Sequence, residues 1–235
     1  MRAELLHRLE PQSLFWAAAT IGLYLAAHAL YRRHARVWTS PLLVTWAACF
    51  ALALALHTSY PSYIRGTQWL VTLLGPATMA FAMPIYEQRQ LIRRHWPVLL
   101  TGVLAGSSLG FGSSWLFARM LNLPAGVCIS LIPRSVTTPF ALAFAQKVGG
   151  TPELTATCVV VTGLVGASLG MWILEWLPLR TAFARGALFG MGAHTVGTAK
   201  AREVGELEGS VAGLTMVLAG VFSVLAAPVF AWLLR

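Results

Sequence analysis

The sequence predicts an all-α polytopic membrane protein, a bundle of about eight transmembrane segments of which two are discontinuous. Three observations carry that prediction. Of the 235 residues 57% are hydrophobic and only 11% charged, with a mean hydropathy of +0.69. That is more apolar side chain than a water-soluble domain of this size buries. Seventeen Lys and Arg face eight acidic residues, all of them Glu, for a net charge of +9. The Arg residues stand in short connections between apolar runs, so the excess is a membrane signature and does not point to nucleic acid.

Six charge-poor runs are long enough to cross ~30 Å of hydrocarbon as uninterrupted helices: residues 11–31, 40–57, 66–86, 96–118, 154–176 and 209–234. Arg2 and Arg8 precede the first run as they would in a signal peptide. The run is too long for a signal, however, and ends in Arg32-Arg33 where a cleavage site would lie, so it is expected to stay as a membrane helix. Two further segments are unusual. Residues 123–147 are split by Pro133-Arg134, and residues 185–199 are short, glycine-rich and followed by Lys200. Every connection is short, and one integral membrane domain over 1–235 accounts for the chain.

The basic clusters at 32–36 and 89–94 have two spans between them, so both fit the cytoplasm, with the N-terminus and residues 60–65 outside. Beyond Arg119 the rule loses its grip, because Arg180, Arg185, Lys200 and Arg202 spread over both faces. Lys147, Lys200 and Arg202 fit the cytoplasm if both unusual segments cross the membrane, and they need not cross it.

Between Met120 and Gln146 the only charge is Arg134, within Pro133-Arg134-Ser135-Val136-Thr137-Thr138-Pro139. An Arg at the centre of a membrane helix costs roughly 2.5–3.5 kcal/mol on insertion scales, a cost that falls if it meets an anion, carbonyls or water. Thr138-Pro139 has the form of an N-cap and first helical residue, with 140–147 as the helix and Gly149-Gly150 as its stop. A helix starting at that depth presents free N–H groups and a positive dipole end, a ready anion site. The alternative is an ordinary proline-kinked helix whose Arg snorkels.

The second interruption runs from Gly190 to Lys200 and holds Gly192, His194, Thr195, Gly197 and Thr198. Its glycines allow close approach or unwinding, and the reference pKa of a histidine, about 6.5, would suit His194 to a proton relay. A neutral His bonded between helices is the alternative, and the Thr hydroxyls can bond back to their own helix. The third interruption is Gly75-Pro76-Ala77-Thr78, where Pro76 either opens a half-helix or simply kinks one. Residues 74–78 with 103–106 echo residues 192–195 with 217–220, which fits either an internal repeat of the transporter kind or chance among small-residue helices.

Other polar groups have structural explanations. Glu153 after Thr151-Pro152 is a first-turn charge on a capped helix, Glu203 is close enough to pair with Lys200, and Glu203, Glu206 and Glu208 form a solvated connection. Cys49, Cys128 and Cys158 lie in apolar stretches without ligand spacing, so neither metal nor disulfide is expected. Without Asp there is no Ser/His/Asp arrangement, and no HExxH or P-loop occurs, so no enzyme and no cofactor are expected.

Pro133–Pro139 with its leading Leu131-Ile132, then Gly149-Gly150-Thr151-Pro152-Glu153-Leu154-Thr155-Ala156, Ala184-Arg185-Gly186 and Gly192-Ala193-His194-Thr195-Val196-Gly197-Thr198-Ala199-Lys200-Ala201 together resemble the LrgB/CidB family. Leu74-Gly75-Pro76-Ala77-Thr78 and Pro84-Ile85-Tyr86 match it as well. The likeness runs from about residue 40 to the C-terminus and is weakest over residues 1–36. Two departures stand out: Arg134 replaces a usual Lys, and Thr195-Val196 replace a usual Gly-Ile.

The resemblance implies a multi-pass protein of the bacterial cytoplasmic (inner) membrane, with a small LrgA/CidA-type membrane partner and self-association as further expectations. It also implies one of two functions. The first is a secondary carrier of small monocarboxylates such as glycolate, glycerate or pyruvate, coupled to protons or exchange. The second is a holin-like or antiholin-like protein that modulates murein hydrolase export and lysis. For a carrier the expected substrate contacts are Arg134, Ser135, Thr137, Thr138, His194, Thr195, Thr198, Lys200 and Thr78. The expected hinges are Gly75, Pro76, Pro133, Pro139, Gly192 and Gly197.

Overall fold

The computed structural model of the chain describes residues 11–33, 39, 41–73, 76, 79 and 82–233. Among those residues all regular elements are helical, and the chain divides into two compact units, Met1–Pro76 and Ala77–Arg235. The first unit holds α1 (Pro11–Arg33), α2 (Pro41–Ala55) and α3 (Tyr60–Thr72). The Trp16 ring of α1 meets Tyr63 of α3 edge-on at 5.2 Å, and the Thr20 hydroxyl lies 3.3 Å from that of Tyr63.

Two sequence expectations fail around this point. The run 66–86 is not one uninterrupted helix, because α3 starts at Tyr60, stops at Thr72 and is followed by a turn at Leu73, and the next element with described bounds, α4, is Ala82–Glu87. Pro76 lies just beyond the stop, and a proline disfavours helix ahead of itself. Residues 60–65 are therefore the first turns of a helix, not a loop. The same holds for residues 89–94, which open α5 (Arg89–Met120). The backbone of α5 bends at His95 (φ −122°, ψ 19°), two residues before Pro97, which has no N–H to give to the preceding turn.

The rest of the second unit is α6 (Ala125–Leu131), a 3₁₀ turn (Ile132–Ser135), α7 (Thr138–Val148), α8 (Pro152–Trp176), α9 (Ala182–Val204) and α10 (Glu206–Leu233). Among the described residues four helices are long and apolar enough to cross a membrane: Leu14–Arg33, Arg89–Met120, Pro152–Trp176 and Glu206–Leu233. The all-α membrane class stands on these four.

Contacts fix the directions of the elements in this unit. Phe140 of α7 packs on Gly220 of α10, and Phe144 meets Phe230 at 5.6 Å, so α7 and α10 run the same way. Phe111 of α5 joins them, 5.5 Å from Phe144 and 5.7 Å from Phe230. With Ile132, Val136, Ala141, Val159 and Ala227 these rings form the buried core. Aromatic pairs of this geometry add about 0.5–1.5 kcal/mol each beyond their buried area.

The Ser130 hydroxyl of α6 accepts from the Thr151 N–H at 2.8 Å, and its carbonyl accepts from the Thr155 hydroxyl at 3.0 Å. The end of this broken segment therefore comes back beside the last turn of α6, and α6 and α7 run in opposite senses. Gly149 closes α7 in the left-handed region (φ 95°), as the glycine pair predicts.

α9 doubles back as well. Eight residues of straight helix span about 12 Å, yet Gly197 packs directly against the carbonyl of Phe189 and the methyl of Ala193. Both halves lie along the first part of α10. The outgoing half sets Gly186 on Val211 and Gly190 on Ala212, while the returning half sets Thr198 on Met216 and Arg202 on Gly209. Glu208, expected in a solvated connection, is instead 7% exposed and paired with Arg185 at 2.7 Å. The fold-back brings the start of α9 beside the start of α10, which buries that carboxylate.

Candidate functional site

The first break follows from its prolines. Pro133 has no N–H for the carbonyl four residues back, and the helix tightens into the 3₁₀ turn, with Pro133 buried at φ −84°, ψ 16°. Val136 (φ −108°, ψ 151°) and Thr137 (φ −62°, ψ 144°) are extended before α7 begins. The cap falls on Thr137, not on Thr138 as the sequence suggests, and Pro139 takes the second helical position. The Thr137 carbonyl accepts from the N–H groups of Phe140 and Ala141 at 3.1 and 3.0 Å. Its hydroxyl makes no cap bond, because it is engaged elsewhere.

That engagement joins the two broken segments: Thr137 Oγ1 lies 3.1 Å from Thr195 Oγ1. Thr137 is 3% exposed, while Thr195 lies in the turn of α9 and is open on one side. The Thr195 and Thr198 hydroxyls also point at Met216 Sδ of α10, at 3.7 and 3.8 Å, and Thr198 donates to the His194 carbonyl at 2.9 Å.

His194 itself makes the turn, at φ 38° and ψ −121°. A buried non-glycine residue there stores of order 1–3 kcal/mol of strain. Its ring is 3% exposed, and Nε2 has no hydrogen-bond partner among the described residues. Gly163 of α8 makes room for it, since an added Cβ would stand 2.5 Å from His194 Cε1. Neither predicted hinge glycine bends the chain. Gly192 has open space where a side chain would go, and Gly197 is needed for the close approach of the returning strand of helix to Phe189.

Arg134 is half-buried beside the first break and makes no ion pair or hydrogen bond among the described residues. Ser135 turns toward α5, its Oγ 2.9 Å from where a Cβ on Gly110 would stand. Lys200 lies six residues past the turn and is paired with Glu203 at 2.7 Å, so the structure does not bring it to the Thr137–Thr195 contact. Gly75 and Thr78 lie outside the described residues, and Pro76 is exposed. The residues that sequence reasoning missed are Gly163, Met216 and the Arg185–Glu208 pair. The small-residue spacing Gly163, Gly166, Gly170 within one apolar run was the available signal for the first of these.

The chain matches the LrgB-like family model over residues 20–233. It is 38% identical to "Uncharacterized protein YwbG" of Bacillus subtilis over 209 residues, 89% of this chain and 93% of that protein. It is 36% identical to "Uncharacterized protein YxaC" of the same organism over 214 residues, 91% of this chain and 93% of that one. It is 28% identical to "Holin-like protein CidB" of Staphylococcus epidermidis over 218 residues, 93% of this chain and 95% of that one. No solved structure matches.

Proposed function

The chain belongs to the LrgB-like family, and on that premise we propose that it acts on the permeability of a bacterial cytoplasmic membrane as a holin-like protein. The observation in support is the relationship to the protein named holin-like, which extends over 93% of this chain. In this reading the protein modulates murein hydrolase export and lysis, alone or with a small LrgA/CidA-type membrane protein, and no enzyme chemistry is involved. Controlled expression in a bacterial host tests it. Expected is a change in dye entry and in hydrolase activity outside the cell; intact dye exclusion and unchanged lysis timing would refute it.

A second reading has one structural observation in its favour, the Thr137–Thr195 bond that joins two broken segments beside Arg134. A protein that works only by forming lesions has no use for a half-buried arginine three residues from a hydroxyl that bonds a second interrupted helix. A carrier of small monocarboxylates has: the guanidinium pairs the carboxylate, the first turn of α7 supplies N–H groups, and hydroxyls meet a hydroxy or keto oxygen. Uptake of labelled glycolate and pyruvate into liposomes holding this protein alone separates the two readings. Saturable, selective uptake supports the carrier, and unselective leakage supports the lesion.

A further inference from the structure

The two doubled-back segments place their ends and turns in a definite order along the long helices. On α10 the turn of α9 is level with Met216, about 15 Å from Glu206 at 1.5 Å per residue. On α8 the same turn is level with Gly163, about 17 Å from Pro152. On α5 the 3₁₀ turn is level with Gly110, about 15 Å from Met120. Half of a ~30 Å hydrocarbon layer is about 15 Å. The arms are of matching length. α7 has 11 residues, about 16 Å, and the part of α9 after His194 has ten, about 15 Å. Neither arm alone can cross.

The arms also enter from opposite ends. Ser130 and Thr151 meet at the end of the unit where α8 begins, whereas Arg185 and Glu208 meet at the end where α10 begins. α8 and α10 run oppositely, since α8 passes Gly163 at His194 and then Gly170 at Phe189, while the outgoing half of α9 runs with α10.

We propose that residues 125–148 and 182–204 are two re-entrant hairpins that enter the membrane from opposite faces and whose tips meet at Thr137 and Thr195. Two half-helices, α7 and the returning half of α9, start at this point, so two positive dipole ends converge on it. Irregular backbone at mid-depth is tolerated where it lines a cavity.

The charge pattern supports the arrangement. With both hairpins re-entrant, Arg89, Arg93, Arg94, Arg180, Arg185, Lys200 and Arg202 share one face, while among the described residues of this unit Arg119 and Lys147 stand on the other. If both segments crossed, Lys147 would change faces with Arg180 and Arg185, and the bias would shrink. The strong bias makes the Arg-rich face cytoplasmic, and the scattered charges after Arg119 become regular.

The hairpin topology stands on contacts alone, and accessibility from the two faces of the membrane tests it. In a background with Cys49, Cys128 and Cys158 replaced by Ala, single Cys variants Leu121→Cys, Thr151→Cys, Arg180→Cys and Glu206→Cys are labelled with a membrane-impermeant maleimide. Right-side-out and inside-out vesicles are compared. Positions 121 and 151 are expected to label from outside only, and 180 and 206 from inside only. Labelling of 121 and 151 from different faces would overturn the hairpins.

Discussion

The two hairpin tips solve one problem, turning a chain around at mid-depth, by opposite means. The first spreads the turn over residues 132–137, with two prolines, a 3₁₀ turn and two extended residues, all at negative φ. The second does it at one residue, His194, at φ 38° and ψ −121°. The first turn is written into local chemistry, since proline cannot continue the hydrogen-bond ladder wherever it is placed. The second is imposed by tertiary packing. Met216, Gly163 and the close contact of Gly197 with Phe189 hold a residue where its own backbone would not go. The relaxed tip carries the cation, and the strained tip carries the buried ring.

If the relaxed tip is the charged half of the site, removing its charge has the largest effect. Arg134→Lys keeps the charge and is expected to keep carboxylate binding. Arg134→Gln leaves a desolvated carboxylate unpaired, a loss of roughly 3–5 kcal/mol, at least a hundredfold in affinity. Equilibrium binding of labelled pyruvate to purified protein measures it. Equal binding by the Gln variant would move the site away from this tip and end the division of labour.

The next effect belongs to the second hairpin's base. Glu208→Ala leaves Arg185 facing an emptied, buried position, and loss of one partner of a fully buried pair costs about 3–5 kcal/mol. The Arg185 side chain is 37% exposed, so solvent reduces the expected loss to about 2 kcal/mol. Thermal unfolding in detergent reads it as a clear fall in midpoint, largely restored by Arg185→Met with Glu208→Leu. No shift in the single variant would mean that this end of the hairpin is held by α9–α10 packing alone.

A smaller pair of changes sharpens the contrast between flexibility and fit. Gly197→Ala forces a methyl onto the Phe189 carbonyl and is expected to cost about 1–3 kcal/mol by overpacking. Gly192→Ala meets open space and is expected to stabilise by about 0.4–1 kcal/mol through the unfolded chain. If the two shifts were alike, the turn at His194 would depend on soft glycines after all.

The contrast also explains what could be foreseen. The break at Pro133, the Gly149 stop and the Lys200–Glu203 pair were legible because proline, glycine and opposite charges three residues apart act over one or two turns. The turn at His194 was not, since three nearby glycines advertise flexibility more loudly than a histidine does. Glu208 was taken for a solvated residue because nothing in its neighbourhood of sequence shows that Arg185 returns beside it. The end of α3 at Thr72 is hard to foresee because the run 66–86 carries no charge, and Gly75-Pro76 within it reads equally well as a kink or as a stop. The family was legible, because its motifs sit in the tips and stops where local chemistry rules.

The smallest prediction separates two adjacent threonines. The sequence favours Thr138 as the cap, whereas the structure gives that position to Thr137 and spends its hydroxyl on Thr195. A neutral hydrogen bond of this kind is worth about 1 kcal/mol net, and a buried hydroxyl that loses its partner adds to the cost. Thr137→Val is therefore expected to lower the unfolding midpoint by an amount corresponding to about 1 kcal/mol, because the tips lose the hydroxyl bond that joins them. Thr138→Val, which replaces a hydroxyl that makes no cap bond, is expected to change stability by less than about 0.5 kcal/mol. Thr137→Ser should restore most of the loss, since it keeps the hydroxyl. A larger effect at Thr138 than at Thr137 would place the cap where the sequence suggests it, and the joint between the two tips would have to be sought in other atoms.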